Sequence, residues 1–315
     1  LLAYFIMFTV AQVSLANIMR WAPWLYLVGL ALLVAVMLVG VGAKGAQRWL
    51  SIGGFRFQPS EILKLVLPMT VAWYLADRTL PPRFFHILVA LVLVGLPAAL
   101  ILQQPDLGTA LLIAVSGLFV LYMAGMGWRY IFGAVVLAGA SAWPAWMSVL
   151  KDYQKQRILT MLDPESDKLG AGWNIIQSKT AIGSGGWDGK GWTLGTQSHL
   201  DFLPESHTDF IIAVLSEEFG LRGVLVLMSI YLLILLRGFW IGVKAQSSFG
   251  RMMAGSLTLT FFVYIFVNMG MVAGLLPVVG VPLALVSAGG TSVVTLMAGF
   301  GILMAISTEK SAGPR

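Results

Sequence analysis

The sequence predicts an all-helical protein that crosses a membrane several times. Of its 315 residues, 58% are hydrophobic and 11% are charged, and the mean hydropathy is +0.86. In a typical soluble domain about a quarter of the residues are charged. The apolar residues also recur in runs that approach the roughly 17–25 residues a membrane-spanning helix needs. One long polar stretch, from residue 151 to residue 209, interrupts these runs.

In chain order, nine apolar runs are predicted to be membrane-spanning helices. The first, residues 1–13, looks like the tail of a span, because the sequence opens with Leu1 inside an apolar run. We therefore expect the sequence to begin part-way into a first or second span, with an N-terminal piece missing. The others are predicted at 22–43, 59–77, 84–103, 108–126, 129–150, 224–237 extended backward from 209, 254–276 and 282–307. This divides the chain into N-terminal transmembrane helices (1–150), a polar loop (151–208) and C-terminal transmembrane helices (209–315).

Basic residues in the short links predict the orientation of these helices. Nine of them fall on one side: Arg20, Arg78, Arg83, Arg129, Arg237, Lys244, Arg251, Lys310 and Arg315. Only Lys44, Arg48 and Arg56 fall in short links on the other side. Because cytoplasmic links are enriched in Lys and Arg, we expect the first group in the cytoplasm and the 151–208 loop outside. Counting the six Lys and Arg of that loop would remove the difference.

Composition excludes several classes of function. Cys is absent, so disulfides, thiolate metal sites and a Cys nucleophile are impossible. The three histidines, His86, His199 and His207, show no metal-binding spacing. The net charge of +6 is scattered over the links, so no nucleic-acid partner is expected.

Two ionisable clusters on the outer side are not explained by membrane insertion alone. Lys44, Arg48 and Arg56 form a basic link without an acid, which suits phosphate or pyrophosphate, although lipid headgroups would also pair with it. Glu61 lies in the first turn of a span, where the helix dipole favours an acid. Lys64 lies one turn deeper on the same face, and such buried charges usually face a cavity or the bundle interior. Function is therefore favoured over packing for this pair.

Two more acids begin helices, and capping explains either of them as well as function does. Asp106 follows Pro105 in the first turn of a span, and Asp209 precedes the apolar run after the loop. Short polar residues at such positions commonly cap helices. An acid near Lys and Arg at the mouth of a bundle could also act as an ionised base. The glycine runs 183–186 and 189–191 could cradle phosphate, but they fit no nucleotide motif, so flexible connection is favoured.

A set of motifs is spread in order over essentially the whole chain: 48–50, 57–64, 104–109, 163–165, 170–173, 177–179, 181–186, 191–192, 195–197, 203–205 and 207–210. These runs closely resemble the SEDS family (shape, elongation, division and sporulation). The resemblance implies a bundle of about ten transmembrane helices, nine present here and the first missing, with a long extracytoplasmic loop between helices 7 and 8. It also implies a glycosyltransferase of the bacterial cytoplasmic membrane that polymerises lipid II at the outer face during cell elongation, with a class B penicillin-binding protein as partner.

The same resemblance implies roles for individual residues. Asp209 matches the essential acid of the family, and Glu61 and Lys64 match its functional pair; Arg48 and Asp106 match outward-facing polar positions. In the implied reaction, a sugar hydroxyl of lipid II attacks a glycan linked to undecaprenyl pyrophosphate, which needs a base and positive charge for the leaving group. Asp209 is assigned as the base. The substrate-binding candidates are Arg48, Glu61, Lys64, Asp106, Lys179, Lys190 and His207. A divalent cation is allowed, although no ligand cluster demands one.

Two departures and two alternatives complete the sequence-based interpretation. The family usually has Pro at the position of Ala284 and an aromatic residue at that of Ala288, so packing there is in question.

A lipid II flippase would use the same polar residues but would need a polar path to the cytoplasmic side. A non-catalytic scaffold for a transpeptidase would need no buried charges. The runs 224–237 and 254–276 are apolar nearly all round, which suits packing against another membrane helix as well as lipid. Taken with the resemblance, this predicts that they dock the partner's transmembrane helix.

Overall fold

Helices form most of the structure, as the apolar runs predict. The computed structural model describes residues 1–43, 46–52, 55–167, 170–199 and 206–309. Before the polar stretch the helices are α1 (Leu2–Ala11), α2 (Leu15–Val39), α3 (Pro59–Ala76), α4 (Phe84–Gln103), α5 (Leu107–Met123) and α6 (Trp128–Pro144), which continues as a π-helical segment over Ala145–Val149. After α6 come α7 (Asp152–Leu162), a 3-10 turn (Pro164–Asp167), α8 (Ala171–Gly185), α9 (Thr196–His199), α10 (Ile211–Lys244), α11 (Ser248–Val272) and α12 (Gly290–Ser307).

Six helices in the described residues are long and apolar enough to cross a membrane. They are α2, α4, α6 with its π-helical segment, α10, α11 and α12. The helices α1 and α5 are apolar but shorter, and α3 carries Glu61 and Lys64 in its first two turns. The chain is thus a polytopic, all-helical membrane protein, while the total of nine spans stays a prediction.

Several helix boundaries in the structure differ from the predicted ones. The predicted span 22–43 is a helix from Leu15 to Val39, and the predicted span 282–307 is helical only from Gly290. Residues 276–289 are apolar but not helical, with positive φ at Gly280 (73°) and Leu285 (64°). Hydropathy alone does not separate an apolar turn from a helix. The polar stretch, in turn, contains α7 and α8 and is not a structureless loop.

A small antiparallel sheet follows α2, and the sequence-based prediction missed it. Its strands are β1 (Val41–Ala43), β2 (Ala46–Ile52) and β3 (Phe55–Phe57), in the order β1-β2-β3. Two-residue gaps between the strands, the second of them Gly-Gly in sequence, are the signal that would have predicted hairpins. The sheet contacts α2 and α3. It carries Arg48, whose side chain contacts the turn between α4 and α5.

Two compact units make up the chain. The first comprises residues 1–126, 234–263 and 289–315. Within it α2 packs on α3, α3 on α4 and α5, and α1 on α12. Its core contains the fully buried leucines Leu33, Leu63 and Leu67. The second unit comprises residues 127–233 and 264–288, and in it α7, the 3-10 turn and α8 pack together. The division at 150 and 208 follows predicted membrane topology and stays a prediction.

Candidate active site

Arg48 ties the small sheet to the turn between α4 and α5. Its Nη2 donates to the carbonyl oxygen of Pro105 at 2.5 Å, and its Nε lies 3.4 Å from the carbonyl oxygen of Gln104. The Nε also lies 3.7 Å from Oδ2 of Asp106, and the Arg48 side chain is 31% exposed. The guanidinium therefore binds acceptors of a single turn and keeps part of its surface open for a ligand.

Asp106 combines the two roles that the sequence left open. It is the N-cap residue of α5, and its Oδ1 accepts the main-chain N–H of Thr109 at 3.1 Å. Its Oδ2 faces Arg48 and accepts the side-chain amide of Gln58 at 3.1 Å. The carboxylate is almost fully buried. Capping and ion pairing thus use different oxygens of the same group.

Gln58, which the sequence-based interpretation did not single out, connects Asp106 to the start of α3. It is the N-cap residue of α3, and its carbonyl oxygen accepts the N–H of Glu61 at 3.0 Å. Its side chain reaches Asp106. The available signal was its place in the motif directly before Pro59. Gln58 therefore positions the first turn of α3 relative to the α4–α5 turn.

Glu61 and Lys64 form the buried ion pair that their spacing predicts. Lys64 Nζ donates to Glu61 Oε1 at 2.5 Å, and the two residues are only 7% and 5% exposed. A buried ion pair offsets little of its own desolvation cost unless further hydrogen bonds complete it. Glu61 Oε2 is buried and accepts no hydrogen bond from the described residues. This unsatisfied carboxylate oxygen marks the pair as a place where a donor from a ligand or water fits.

Asp209 lies in a turn before α10 and outside the position that caps it. The helix begins at Ile211, so Phe210 is the residue that flanks it and Asp209 is one position further out. Phe210 is buried, whereas Asp209 is partly exposed and His207 is exposed. The N-cap side chain is the one that accepts N–H groups of the first turn. The boundary of α10 thus gives the flanking position to Phe210, and the role of Asp209 stays a prediction.

The main chain of this turn is held in place at three consecutive carbonyls. Each accepts a hydrogen bond from outside the turn: His207 from the N–H of Ala288 (2.9 Å), Thr208 from the hydroxyl of Ser287 (2.5 Å) and Asp209 from the side-chain amide of Asn268 (2.9 Å). Gly280 also lies against the Asp209 carboxylate, since a Cβ added there would be 3.6 Å from Oδ2. The position of the Asp209 main chain is therefore determined by non-local contacts.

Asn268 is the functional candidate that sequence reasoning missed. It lies on α11, is 0% exposed, and its amide also donates to the carbonyl oxygen of Val281 at 2.7 Å. Both partners are carbonyls, so the nitrogen must face them. A single amide side chain inside an apolar span was the signal, because polar groups in membrane helices usually join neighbouring segments.

Comparison with known proteins decides the family. A family model for FtsW, RodA and SpoVE, described as cell cycle protein, matches residues 1–312. The chain belongs to the SEDS family. Its resemblance to this family, expected from the motifs, is thereby confirmed.

Relatives in the SEDS family have names that state an enzyme activity. The peptidoglycan glycosyltransferase MrdB of Escherichia coli K12 is 55% identical over 305 residues, which is 97% of this chain and 82% of that protein. The probable peptidoglycan glycosyltransferase FtsW of Geobacter metallireducens is 41% identical over 289 residues, 90% of this chain and 76% of that protein.

Solved SEDS structures share the fold. A chain of a peptidoglycan synthase complex, whose structure concerns the coordination of polymerization and crosslinking, superposes with a TM-score of 0.84 at 30% identity, covering 97% of this chain and 86% of its own. The rod shape determining protein RodA of Thermus thermophilus superposes with a TM-score of 0.71 at 26% identity, covering 97% and 84%. RodA is also the SEDS protein that the motifs most resemble.

The glycine-rich segment of this SEDS chain is engaged with α10 and is not a free phosphate loop. Gly183 and Gly185 lie in the last turn of α8. The helix α10 breaks at Gly220, where φ is 63°. Across the break the two segments exchange main-chain hydrogen bonds: Lys190 and Gly191 donate to the carbonyls of Glu217 and Glu218, and Leu221 and Arg222 donate to those of Gly186 and Trp187. The N–H groups that would bind phosphate at 190 and 191 are therefore already used.

Lys190 has a structural partner as well. Its Nζ lies 2.7 Å from Oε1 of Glu217, whose side chain is 0% exposed, and 2.8 Å from the hydroxyl of Thr196. A buried carboxylate needs such a counter-charge. This geometry favours a structural role for Lys190 over pyrophosphate binding.

The remaining predicted residues are placed as follows. Lys179 is exposed on α8, and its ammonium lies against Gly274. Arg48, Glu61, Lys64 and Asp106 belong to the first unit, while Lys179, Lys190, His207 and Asp209 belong to the second. Arg56 is on β3, but its side chain is outside the described set, as is all of Lys44.

The two departures from the family pattern lie near the Asp209 turn. Ala284 is buried, and its carbonyl oxygen accepts the hydroxyl of Tyr231 at 2.7 Å. Ala288 is exposed and donates its N–H to His207. The hydrogen bonds at both positions are made by the main chain. Among the described residues, no group of three or more His, Cys, Asp or Glu is placed to hold a metal ion.

Proposed function

We propose that this chain is a peptidoglycan glycosyltransferase that polymerises lipid II at the outer face of the cytoplasmic membrane, with Asp209 as general base. The observation that carries the proposal is the Asp209 turn. Its main chain is held by hydrogen bonds from Asn268, Ser287 and Ala288, while its side chain lies outside the capping position of α10. A side chain that projects from a main chain held this way starts from a fixed position, as a base requires.

The reaction is an inverting displacement. The 4-hydroxyl oxygen of one lipid II forms a bond to the anomeric carbon of a glycan attached to undecaprenyl pyrophosphate. The bond from that carbon to the pyrophosphate oxygen breaks, and the pyrophosphate leaves with the electron pair. The proton of the attacking hydroxyl passes to the Asp209 carboxylate, which raises the nucleophilicity of the oxygen in the transition state.

The leaving pyrophosphate gains negative charge, so it needs fixed positive charge. Arg48 and Lys64 are assigned this role, and Lys179, exposed on α8, is a further candidate. Glu61 orients the Lys64 ammonium through the contact at 2.5 Å. The partly open guanidinium of Arg48 offers the planar fork that binds phosphate oxygens in pairs.

The partner is proposed to be a class B penicillin-binding protein, whose single transmembrane helix docks on α10. In its most apolar window α10 is only 17% buried, whereas that of α11 is 61% buried. Of the two segments predicted to dock the partner, α10 therefore has more exposed apolar surface, whereas most of α11 is buried by internal packing. Exposed apolar surface on α10 is what a partner helix would pack against.

The decisive experiment is glycan synthesis from purified lipid II by the Asp209→Asn variant in complex with its partner. Asn keeps the size of Asp but does not accept the proton, so we expect a loss on the order of 10²–10⁴-fold. Asp209→Glu keeps the carboxylate but displaces it, and an intermediate loss is expected. The matched control is Asp188→Asn, because Asp188 is an exposed acid paired with the exposed Arg222 in the same unit.

If the Asp209→Asn variant polymerised lipid II near the parent rate, Asp209 would not be the general base. Glu61 and Asp106 would then be the next acids to test as the base. If transfer of lipid II across sealed vesicles depended on Asp209 while polymerisation did not, the flippase alternative would replace the polymerase. If the parent protein showed neither polymerisation nor transfer of lipid II but still bound its partner, the scaffold alternative would be supported.

A further inference from the structure

A cavity of about 280 Å³ opens where α10 and α12 end. Its walls include Arg237, Trp240 and Lys244 of α10 and Ser307 at the end of α12. Gln246 and Glu309, which follow the two helices, complete it. One water needs only about 15 Å³ of such volume, so the space suits a polar group of several atoms. None of these residues belongs to the motifs assigned to the reaction.

The α10 wall carries two cations on one helical face. Arg237 and Lys244 are seven residues apart, which places them two turns apart on the same side. Among the described residues, neither cation has a carboxylate partner. The Lys244 ammonium lies 4.5 Å from the ring centre of Trp240, a contact that leaves its other donors available. Two free cations on a shared face suit the oxygens of a phosphate.

The part of the cavity at the end of α12 carries negative charge. Glu309 follows the C-terminal end of α12, and its Oε2 accepts the hydroxyl of Ser247 at 3.1 Å. The C-terminal end of a helix has a partial negative charge, which favours a nearby cation. The cavity thus has a positive wall and a negative wall, and a purely anionic ligand would satisfy only the first.

The position of the cavity indicates a lipid. It lies at the ends of two helices that are long and apolar enough to cross a membrane. Trp240 is exposed there, and exposed Trp residues at the ends of such helices are typical of the level of the lipid headgroups. Basic pockets between membrane helices bind lipid headgroups. Ile241 and Ile306 are buried and line its inner side, which suits the apolar part of a lipid.

We propose that this cavity binds the headgroup of a zwitterionic aminophospholipid. The phosphate contacts Arg237 and Lys244, and the primary ammonium contacts Glu309 and the end of α12. The proposal is independent of the glycosyltransferase reaction, because it involves neither Asp209 nor the pyrophosphate-binding residues.

The test compares lipids that differ only in the headgroup, added to the purified full chain in detergent, with binding measured by native mass spectrometry. Phosphatidylethanolamine should bind about tenfold more tightly than phosphatidylcholine, because the quaternary amine has no N–H to donate to Glu309 and a charge-assisted hydrogen bond is lost. Phosphatidylglycerol should bind less tightly than phosphatidylethanolamine. Equal binding of the first two lipids, or tighter binding of the third, would overturn the proposal.

Substitutions test which residues of the cavity contact the phosphate and which contact the ammonium. Glu309→Gln should remove the preference for phosphatidylethanolamine over phosphatidylcholine, whereas Arg237→Gln with Lys244→Gln should weaken binding of both. Arg251→Gln is the matched control, since Arg251 is an exposed cation outside the cavity. Soluble phosphoethanolamine should not compete at concentrations equal to the lipid. Full competition would show a site for a free phosphorylated amine and would also overturn the lipid assignment. The first test, which compares lipids, uses only the parent protein, so its result does not depend on whether any variant folds.

Discussion

The side-chain amide of Asn268 donates a hydrogen bond of 2.9 Å to the main-chain carbonyl of Asp209. The same nitrogen donates to Val281 at 2.7 Å, so one buried side chain of α11 joins two separate turns. Neither contact involves the Asp209 carboxylate. Asn268 is therefore a positioning residue: it places the main chain from which the proposed base projects.

Asn268→Ala should reduce polymerisation by about tenfold or more. Removal of the amide leaves two carbonyls without a donor, which costs about 1–3 kcal/mol for each buried group, and it frees the Asp209 turn to move. Thr260→Val is the control, because Thr260 lies on the same helix and its buried hydroxyl has no hydrogen-bond partner among the described residues.

A second measurement separates positioning from general loss of stability. In the background of Asp209→Asn, Asn268→Ala should cause little further loss of activity, because residues that act through one group are not additive. A further tenfold loss in that background would show that Asn268 acts independently of Asp209.

A double variant of Glu61 and Lys64 separates the effect of this ion pair on stability from its effect on activity. Lys64→Met alone should lower stability by about 3–5 kcal/mol, since it leaves a buried carboxylate without its partner. Glu61→Gln with Lys64→Met removes both charges and should restore most of the thermal stability measured in detergent. Both forms should lack polymerisation from lipid II. A stable double variant that polymerises normally would assign the pair a purely structural role.

Gly189→Ala should destabilise the protein, because the exchange of hydrogen bonds at the α10 break leaves no room for a side chain. The φ of Gly189 is 79°, which costs an Ala about 1–2 kcal/mol. Its added Cβ would also lie 2.2 Å from the carbonyl oxygen of Glu218. Gly183→Ala is the control: Gly183 is in α8 with no atom within 4 Å of an added Cβ, so Ala should stabilise by about 0.5–1 kcal/mol. Equal melting temperatures of the two variants would contradict this account.

Photocrosslinkers on the exposed face of α10 should capture the partner's transmembrane helix. Suitable positions are Val226 and Leu233, which are 62% and 67% exposed. Leu137 on α6 is a control of similar exposure, at 70%, and should capture lipid only. If, in cells that contain both proteins, the partner were captured through α6 and not through α10, the interface would lie on α6.

The sequence by itself determined the class, the family and the motif residues of this protein. Hydrophobic runs and their lengths are local properties, so the helical membrane class followed from them. The spacing of Glu61 and Lys64 by three residues is also local, because helix geometry alone brings such residues together. Their ion pair was therefore predictable before any fold was known.

Only the tertiary structure decided what depends on residues far apart in the chain. The contact between Asn268 and Asp209, the link from Gln58 to Asp106 and the pairing of Lys190 with Glu217 each join segments that no periodicity relates. The glycine run shows the reason. Its N–H groups would suit a phosphate equally well, but a helix break at Gly220 leaves carbonyls that accept them. A buried main-chain group takes the partner that folding brings near, and the sequence does not specify that partner locally.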